Sequence, residues 1–196
     1  APDITCESAI LVDADTGSIL YEKDAHRKCY PASTTKILTG LLTIENCNLS
    51  DTLTFSTAAA NSINPIEDAN LGMKAGEELT VEQALYALLL YSANEVAYAL
   101  AEKVAGSIDA FVDMMNEKAK ELGMENTHFM NTNGLDEDDH YSSARDVAIM
   151  SRELMKHETI FNYTSIWMDT LRGGKFQLAN TNKLIRFYDG ANGLKT

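Results

Sequence analysis

Two short apolar stretches near the start of the chain predict a pair of strands. Residues 9–12 and 18–21 are rich in β-branched and other apolar side chains, and Asp15-Thr16-Gly17 between them has the composition of a tight turn. These residues therefore predict an antiparallel hairpin within residues 7–22.

Apolar residues at helical spacing predict five helices in the middle of the chain. The predicted helices span residues 31–46, 80–91, 95–105, 108–122 and 143–157. Thr80 and Gln83 form a capping box at the start of the second helix, and Gly106 ends the third. Residues 49–78 and 124–141 have no clear period and many turn-forming residues, which predicts loops and short turns.

The hydrophobic period changes again after the last of these helices. Residues 165–171 and 176–178 have the pattern of strands that flank Arg172-Gly173-Gly174-Lys175. Strands at both ends with helices between them predict an α/β fold of the α+β kind. We expect a mostly antiparallel sheet flanked by helices, with an all-helical lobe inserted at about residues 47–160. The 196 residues, 45% of them hydrophobic, fit a single domain with a sizeable core.

The charge of the chain limits the class of partner. The formal net charge is −13, which argues against nucleic acid because phosphate binding requires a basic surface. No run of residues reaches the roughly 18 apolar positions of a membrane span. The sequence starts at Ala1 without an initiator methionine, so we expect a processed or engineered mature form.

The chain contains Cys6, Cys29 and Cys47, an odd number without C-x-x-C spacing, so no zinc site is expected. Cys6 and Cys29 fall near the open end of the predicted hairpin, and a disulfide between them is one hypothesis. The alternative is that all three are unpaired thiols.

Ser33 and Lys36 form the first candidate for chemistry. They are three residues apart in the first turn of a predicted helix, so both side chains lie on one face. A neutral lysine amine could take the serine proton, which requires its pKa to fall from about 10.4 to about 7, a cost of roughly 4 to 5 kcal/mol. The S-x-x-K spacing also occurs by chance. The alternative is an ordinary helix-start serine with a solvated lysine.

Two further candidates lie later in the chain. Ser92-Ala93-Asn94 interrupts two predicted helices, a place where a hydroxyl and an amide could point into a cleft. Lys195-Thr196 follows Gly193-Leu194 where a strand could start, and its ammonium could bind a carboxylate and lower the pKa of Lys36. The alternative for Lys195-Thr196 is a frayed chain end.

In combination, these motifs resemble those of the penicillin-recognising serine enzymes. Ser33-x-x-Lys36, Ser92-x-Asn94 and Lys195-Thr196 occur in the order of that family's triplet. Further segments are similar to the low-molecular-weight D-alanyl-D-alanine carboxypeptidases, namely residues 9–17, 31–36, 133–136, 141–146 and 189–196. The resemblance covers nearly the whole chain, and it implies a β-lactamase/DD-peptidase-like fold.

The resemblance also implies a reaction and a location. Ser33 would attack the carbonyl between two terminal D-alanines of a peptidoglycan stem peptide, with Lys36 as base and Ser92 as proton relay. Asn94 would hold the substrate amide, and Lys195 with Thr196 would bind the terminal carboxylate. β-lactam antibiotics would acylate the same serine, no cofactor or metal would be needed, and the enzyme would act outside the cytoplasmic membrane.

The sequence departs from the family pattern at two points. Ala93 replaces the usual glycine of the second motif, and because alanine is small we expect activity to survive. The third motif of the family is K-T-G, whereas these residues stop at Thr196. The last strands, a C-terminal β-domain and any membrane-anchoring helix would lie outside these residues. We therefore expect a piece of a longer polypeptide, or a remainder supplied as a separate chain.

Two other functions are open to this fold. A β-lactamase would need a glutamate placed for deacylation ahead of the third motif, and the acidic residues 136–139 do not show that motif. A non-catalytic penicillin-binding or cell-wall sensing module would not need the nucleophile and base positions, which are filled here.

Overall fold

The structure is a computed structural model that describes residues 2–196. Its strands are β1 (Ala9–Val12), β2 (Ile19–Lys23), β3 (Thr52–Thr54), β4 (Glu78–Thr80), β5 (Met168–Leu171) and β6 (Phe176–Ala179). Its longer helices are α1 (Lys36–Asn46), α3 (Val81–Tyr86), α4 (Asn94–Ala105), α5 (Ile108–Glu121) and α6 (Ala144–Met155). The one-turn helices are α2 (Thr57–Ala60), α7 (Phe161–Thr164) and α8 (Leu184–Phe187).

The predicted N-terminal hairpin is confirmed, with β1 antiparallel to β2. Its turn is held from α6, because the Arg152 guanidinium donates hydrogen bonds to the carbonyl oxygens of Ala14 (2.9 Å) and Asp15 (3.2 Å). Gly17 has φ +75°, and a Cβ there would lie 2.5 Å from the Arg152 guanidinium. The left-handed conformation therefore favours glycine in this turn, and a side chain there would displace the Arg152 guanidinium.

The buried helix α1 forms the centre of the core and packs against α4 and α6. Leu38 and Leu41 on it are fully buried. Gly40 costs about 1 kcal/mol relative to alanine in a helix, and it lies where a Cβ would contact the Leu89 side chain at 3.5 Å. This distance is an ordinary van der Waals contact, so the packing around Gly40 leaves room for an alanine.

The five predicted helices are confirmed with small changes at their ends. Thr80 and Gln83 form the predicted capping box at α3. The last turn of the predicted second helix is a π-turn, Ala87–Tyr91. The predicted start at Pro31 is a 3₁₀ turn, Ala32–Thr35, that leads into α1. Both irregular turns end beside the candidate motifs.

The prediction of loops at residues 49–78 is partly wrong. This segment contains α2, and β3 pairs with β4 in an antiparallel hairpin whose strands have three residues each. Strands this short carry too few residues to show a period, and 23 residues separate them. Consequently, the region predicted as an all-helical lobe also contains a two-stranded sheet.

The α+β class is confirmed, and β5 and β6 form the predicted C-terminal hairpin. The single sheet is corrected, because the strands pair as three separate two-stranded sheets within residues 2–196. Each hairpin packs on a different element: β1 on α6, β3 on α4, and β6 on the π-turn. The helices therefore hold the hairpins apart.

The disulfide hypothesis is wrong, because Cys6, Cys29 and Cys47 are free thiols in the structure. Cys29 is paired through its backbone with Ser142 instead, by two hydrogen bonds of 2.8 and 2.9 Å. Within residues 2–196, no helix is both long and apolar enough to cross a membrane. The same residues contain no cluster of three or more potential metal ligands.

Candidate active site

Ser33 lies in the 3₁₀ turn that precedes α1 and is half-buried. The Thr34 N–H donates to the Pro31 carbonyl at 3.2 Å, so the turn closes one residue after Ser33. The Ser33 N–H therefore lies in the first part of the turn, where backbone donors have no acceptor within the helix. This geometry leaves a backbone N–H beside the serine hydroxyl for a developing negative charge.

Lys36, one turn later, is fully buried. Its Nζ lies 3.2 Å from Ser33 Oγ and donates a hydrogen bond of 2.6 Å to the Asn133 carbonyl. Burial, and to a smaller extent the Lys195 charge, lower the pKa of Lys36 to about 7 against the opposing effect of the Asp68 charge. The predicted shift is present, and burial is its main cause. A large fraction of Lys36 is therefore neutral near neutral pH.

The carbonyl that holds Lys36 is itself held by the loop that carries it. Asn131 accepts hydrogen bonds from the backbone N–H groups of Asn133 (3.3 Å) and Gly134 (2.8 Å) through its side-chain oxygen. Thr39 on α1 donates to the Thr132 carbonyl at 2.7 Å. The loop is thus held by its own Asn131 side chain and bonded to α1 at the residue before the lysine contact.

Ser92 ends the π-turn with φ +72°, a left-handed conformation that is uncommon for serine. Its Oγ lies 2.9 Å from Ser33 Oγ and donates a hydrogen bond to it. With Ser92 as donor, the Ser33 proton is free to point at the lone pair of a neutral Lys36 amine. The three side chains therefore form a connected path for a proton.

Ala93 is fully buried and has φ −59°. The family that the sequence resembles usually has glycine at this position. This conformation is ordinary for alanine, so the backbone does not require glycine there. The expectation that Ala93 is tolerated is consistent with this geometry.

Asn94 is the first residue of α4 and is buried. Its backbone N–H donates to the Ala69 carbonyl at 2.8 Å. Its side-chain amide forms no hydrogen bond within the described part of the chain, and so remains available to a ligand. The neighbouring Glu95 accepts the Leu71 N–H at 2.6 Å, and burial raises the pKa of its carboxyl group. Segment 69–71 is therefore attached to the start of α4.

Lys195 and Thr196, the third motif, are the last two residues that the structure describes. Burial lowers the pKa of Lys195 to about 8, and its charge acts on Lys36. The Thr196 hydroxyl donates a hydrogen bond to Thr181 Oγ1 at 2.6 Å. The Lys195 charge is therefore close enough to act on the first motif, and the Thr196 hydroxyl is bonded to Thr181.

The structure thus joins Ser33, Lys36 and Ser92 by hydrogen bonds. Asn94 begins the helix that follows Ser92, the Lys195 charge acts on Lys36, and Thr196 contacts Thr181. Sequence reasoning did not assign two contributors, the Asn133 carbonyl and the Thr181 hydroxyl. A backbone carbonyl leaves no trace in residue type, although the Asn133-Gly134 turn was visible. A serine beside a neutral buried amine is an activated nucleophile, suited to attack on a carbonyl group.

Comparisons with known proteins are in line with this geometry. A family model described as D-alanyl-D-alanine carboxypeptidase matches residues 1–196. D-alanyl-D-alanine carboxypeptidase DacF of Bacillus subtilis is 43% identical over 198 residues, which cover 97% of this chain and 50% of that protein. DacA of Escherichia coli K12 is 36% identical over 162 residues, covering 79% of this chain and 40% of that protein. The chain therefore spans about half the length of the curated relatives it matches.

Solved structures show the same fold. Penicillin binding protein 6B from Escherichia coli has a TM-score of 0.90 and 31% identity, covering 100% of this chain and 64% of that one. The Streptomyces K15 DD-transpeptidase has a TM-score of 0.91 and 30% identity, covering 100% of this chain and 80% of that one. Both likenesses extend over the whole of the chain.

Proposed function

Since this chain belongs to the D-alanyl-D-alanine carboxypeptidase family, we propose that its protein removes the terminal D-alanine from peptidoglycan stem pentapeptides. The observation that carries the proposal is the contact of Ser33 Oγ with Lys36 Nζ at 3.2 Å. The pKa of this lysine is lowered to about 7, mainly by burial. This contact supplies a nucleophile together with its base.

In the acylation step, Lys36 takes the hydroxyl proton as Ser33 Oγ bonds to the carbonyl carbon of the penultimate D-alanine. The Ser33 N–H stabilises the oxyanion. The C–N bond to the terminal D-alanine then breaks, and the proton passes from Lys36 through Ser92 to the leaving amine. The 2.9 Å contact between the two serine hydroxyls supports this route.

The remaining predicted residues would orient the substrate. The Asn94 amide would bind the peptide backbone, and Lys195 with Thr196 would bind the terminal carboxylate as a point charge and a hydroxyl donor. Water would then hydrolyse the acyl-enzyme. A β-lactam would acylate Ser33 in the same way, but its leaving group stays tethered.

The setting of the reaction is part of the same proposal. The stem peptide of peptidoglycan is its substrate and β-lactams are its covalent inhibitors, so the protein would act on the outer side of the cytoplasmic membrane. The formal charge of −13 disfavours a nucleic-acid partner.

The test is intact mass before and after incubation with benzylpenicillin, followed by an assay of D-alanine release from a pentapeptide. We expect an adduct of one penicillin, loss of that adduct in Ser33→Ala, and release of D-alanine by the wild type. Ser62→Ala is the control, because it removes a serine hydroxyl from an S-x-N sequence other than the second motif and should leave the adduct unchanged.

Three other outcomes would contradict the proposal. Covalent uptake by Ser33→Ala would overturn the assignment of the nucleophile. Penicillin turnover faster than about one per second would indicate a β-lactamase. A stable adduct without D-alanine release would indicate a non-catalytic penicillin-binding module.

A further inference from the structure

Segment Asn180-Thr181-Asn182 follows β6 and is fixed to the body of the protein by its first residue. The Asn180 side-chain amide donates to the carbonyl oxygens of Thr164 (2.9 Å) and Ile166 (2.8 Å). Its side-chain oxygen accepts the Asn182 N–H at 2.9 Å. Asn180 and Asn182 are both buried. The segment is therefore a polar platform built by its own side chains.

This platform connects the second and third motifs. The Thr181 N–H donates to the Leu90 carbonyl at 3.3 Å, two residues before Ser92 in the π-turn. The Thr181 hydroxyl accepts the hydrogen bond of the Thr196 hydroxyl at 2.6 Å. Thr181 thus contacts both the π-turn that ends at Ser92 and the side chain of Thr196, which is predicted to bind the substrate carboxylate.

Adjacent contacts fix the chain that leads into the third motif. The Asn182 amide donates to the Gly193 carbonyl at 3.1 Å. The Thr164 hydroxyl donates to the Asn192 carbonyl at 2.6 Å, and a Cβ on Gly193 would lie 2.6 Å from that hydroxyl oxygen. The backbone before Lys195 is therefore held from both sides, and Thr181 adds the contact that holds the Thr196 side chain.

We propose that Thr181 is a positioning residue that presents the Thr196 hydroxyl to ligands ending in a free carboxylate. The inference rests on the proposed function, because that function assigns carboxylate binding to Thr196. It goes further because it assigns a role to the Asn180-Thr181-Asn182 platform, which positions the third motif relative to the second.

A hydroxyl suits this position because it can both accept and donate. In the structure, the Thr196 hydroxyl donates to Thr181 Oγ1. A carboxylate has only acceptors, so Thr196 must turn its proton toward the ligand when one binds. The Thr181 hydroxyl then rotates and donates to Thr196 Oγ1, which keeps the pair bonded and strengthens Thr196 as a donor.

The test compares Thr181→Val, which keeps the branched shape, with Thr181→Ser, which keeps the hydroxyl. The substrates are a tripeptide ending in D-alanyl-D-alanine and the same tripeptide with a C-terminal carboxamide. For the carboxylate substrate, we expect Thr181→Val to lower kcat/KM by about threefold to tenfold, mainly through KM. Thr181→Ser should restore it, and the carboxamide substrate should be affected by less than about twofold.

Two further variants make the test specific. Thr170→Val removes an exposed hydroxyl from β5 and should match the wild type on both substrates. In a Thr196→Val background, Thr181→Val should have no further effect, because its action passes through Thr196. The ratio of kcat/KM for the two substrates does not depend on the fraction of folded enzyme, so partial unfolding does not affect the result.

Several outcomes would overturn the inference while leaving the proposed function intact: an equal loss on both substrates, no loss on either, or additive losses in the double variant. A wild-type protein that forms no acyl-enzyme at Ser33 would instead overturn the proposed function, and this inference with it.

Discussion

Gly134 lies against the carbonyl oxygen of Ala32, so closely that a Cβ on residue 134 would be 1.8 Å from that oxygen. Ala32 precedes the candidate nucleophile and has φ +48°, a conformation that costs an alanine about 1 to 3 kcal/mol. Gly134 follows Asn133, whose carbonyl holds Lys36. The contact therefore joins the turn that contains Ser33 to the loop that binds the Lys36 ammonium group.

Gly134→Ala should therefore both destabilise the protein and impair acylation. Gly134 has φ +91°, and the added methyl would overlap backbone, which cannot move without displacing Ser33 or Asn133. We expect a loss of about 2 to 4 kcal/mol in the free energy of unfolding. Denaturant unfolding and the rate of benzylpenicillin acylation measure the two effects.

Gly76→Ala is the matched control for this prediction. Gly76 has φ +82°, but a Cβ there would meet nothing within 4 Å. This control should cost only the conformational strain, about 1 kcal/mol, and leave acylation unchanged. Equal losses in the two variants would show that the contact with Ala32 is not important.

The pH dependence of acylation should follow the two lysines. Lys36 must be neutral to act as base, so the rate should rise through its pKa of about 7. Lys195 must be charged to attract a carboxylate, so the rate should fall above its pKa of about 8. The acylation rate constant with benzylpenicillin, measured from pH 5 to 10, should be bell-shaped. A rate that is flat between pH 6 and 9 would contradict both roles.

Asp68→Asn should move the acidic limb of that profile. The Asp68 charge raises the pKa of Lys36, so its removal should shift the limb to lower pH. The loop should survive the change, because Asp68 Oδ2 accepts only the Asn64 N–H at 2.8 Å, a role that an amide oxygen can fill. Lys195→Gln removes a charge of opposite sign, and should shift the same limb to higher pH. Shifts in the same direction for both variants would contradict this electrostatic account.

Local signals were enough to predict the helices, the first hairpin and the relation between Ser33 and Lys36. A capping box, a helical period and a spacing of three residues each act within one or two turns. The β3–β4 hairpin was missed because its strands have three residues each and pair across 23 others. Asn133 and Thr181 make their contacts with segments distant in the sequence, and residue type alone does not encode such contacts.

His140 is buried between the 3₁₀ turn before α1 and the loop that contains Asn133. Its Nδ1 accepts the Met130 N–H at 2.9 Å, so in the neutral ring the proton lies on Nε2, which donates to the Thr35 hydroxyl at 3.0 Å. Burial lowers the pKa of His140 below its ordinary value near 6.5, with Glu137 and Asp136 opposing and His128 adding to the shift. The folded state therefore favours the neutral form of the His140 ring.

The free energy of unfolding should therefore decrease at acid pH, because the folded state favours the neutral form of His140. The unfolded chain takes up a proton at about pH 6.5, whereas the folded chain resists until lower pH. Stability from this group is complete above about pH 6.5 and is lost as the pH falls through the folded pKa. Protonation also places an N–H opposite the Met130 N–H.

His140→Gln carries no titrating ring, so its free energy of unfolding should fall less than that of the wild type between pH 7.5 and 5. His26→Gln changes an exposed histidine and serves as the control. Parallel stability curves for wild type and His140→Gln would show that His140 does not couple the fold to pH.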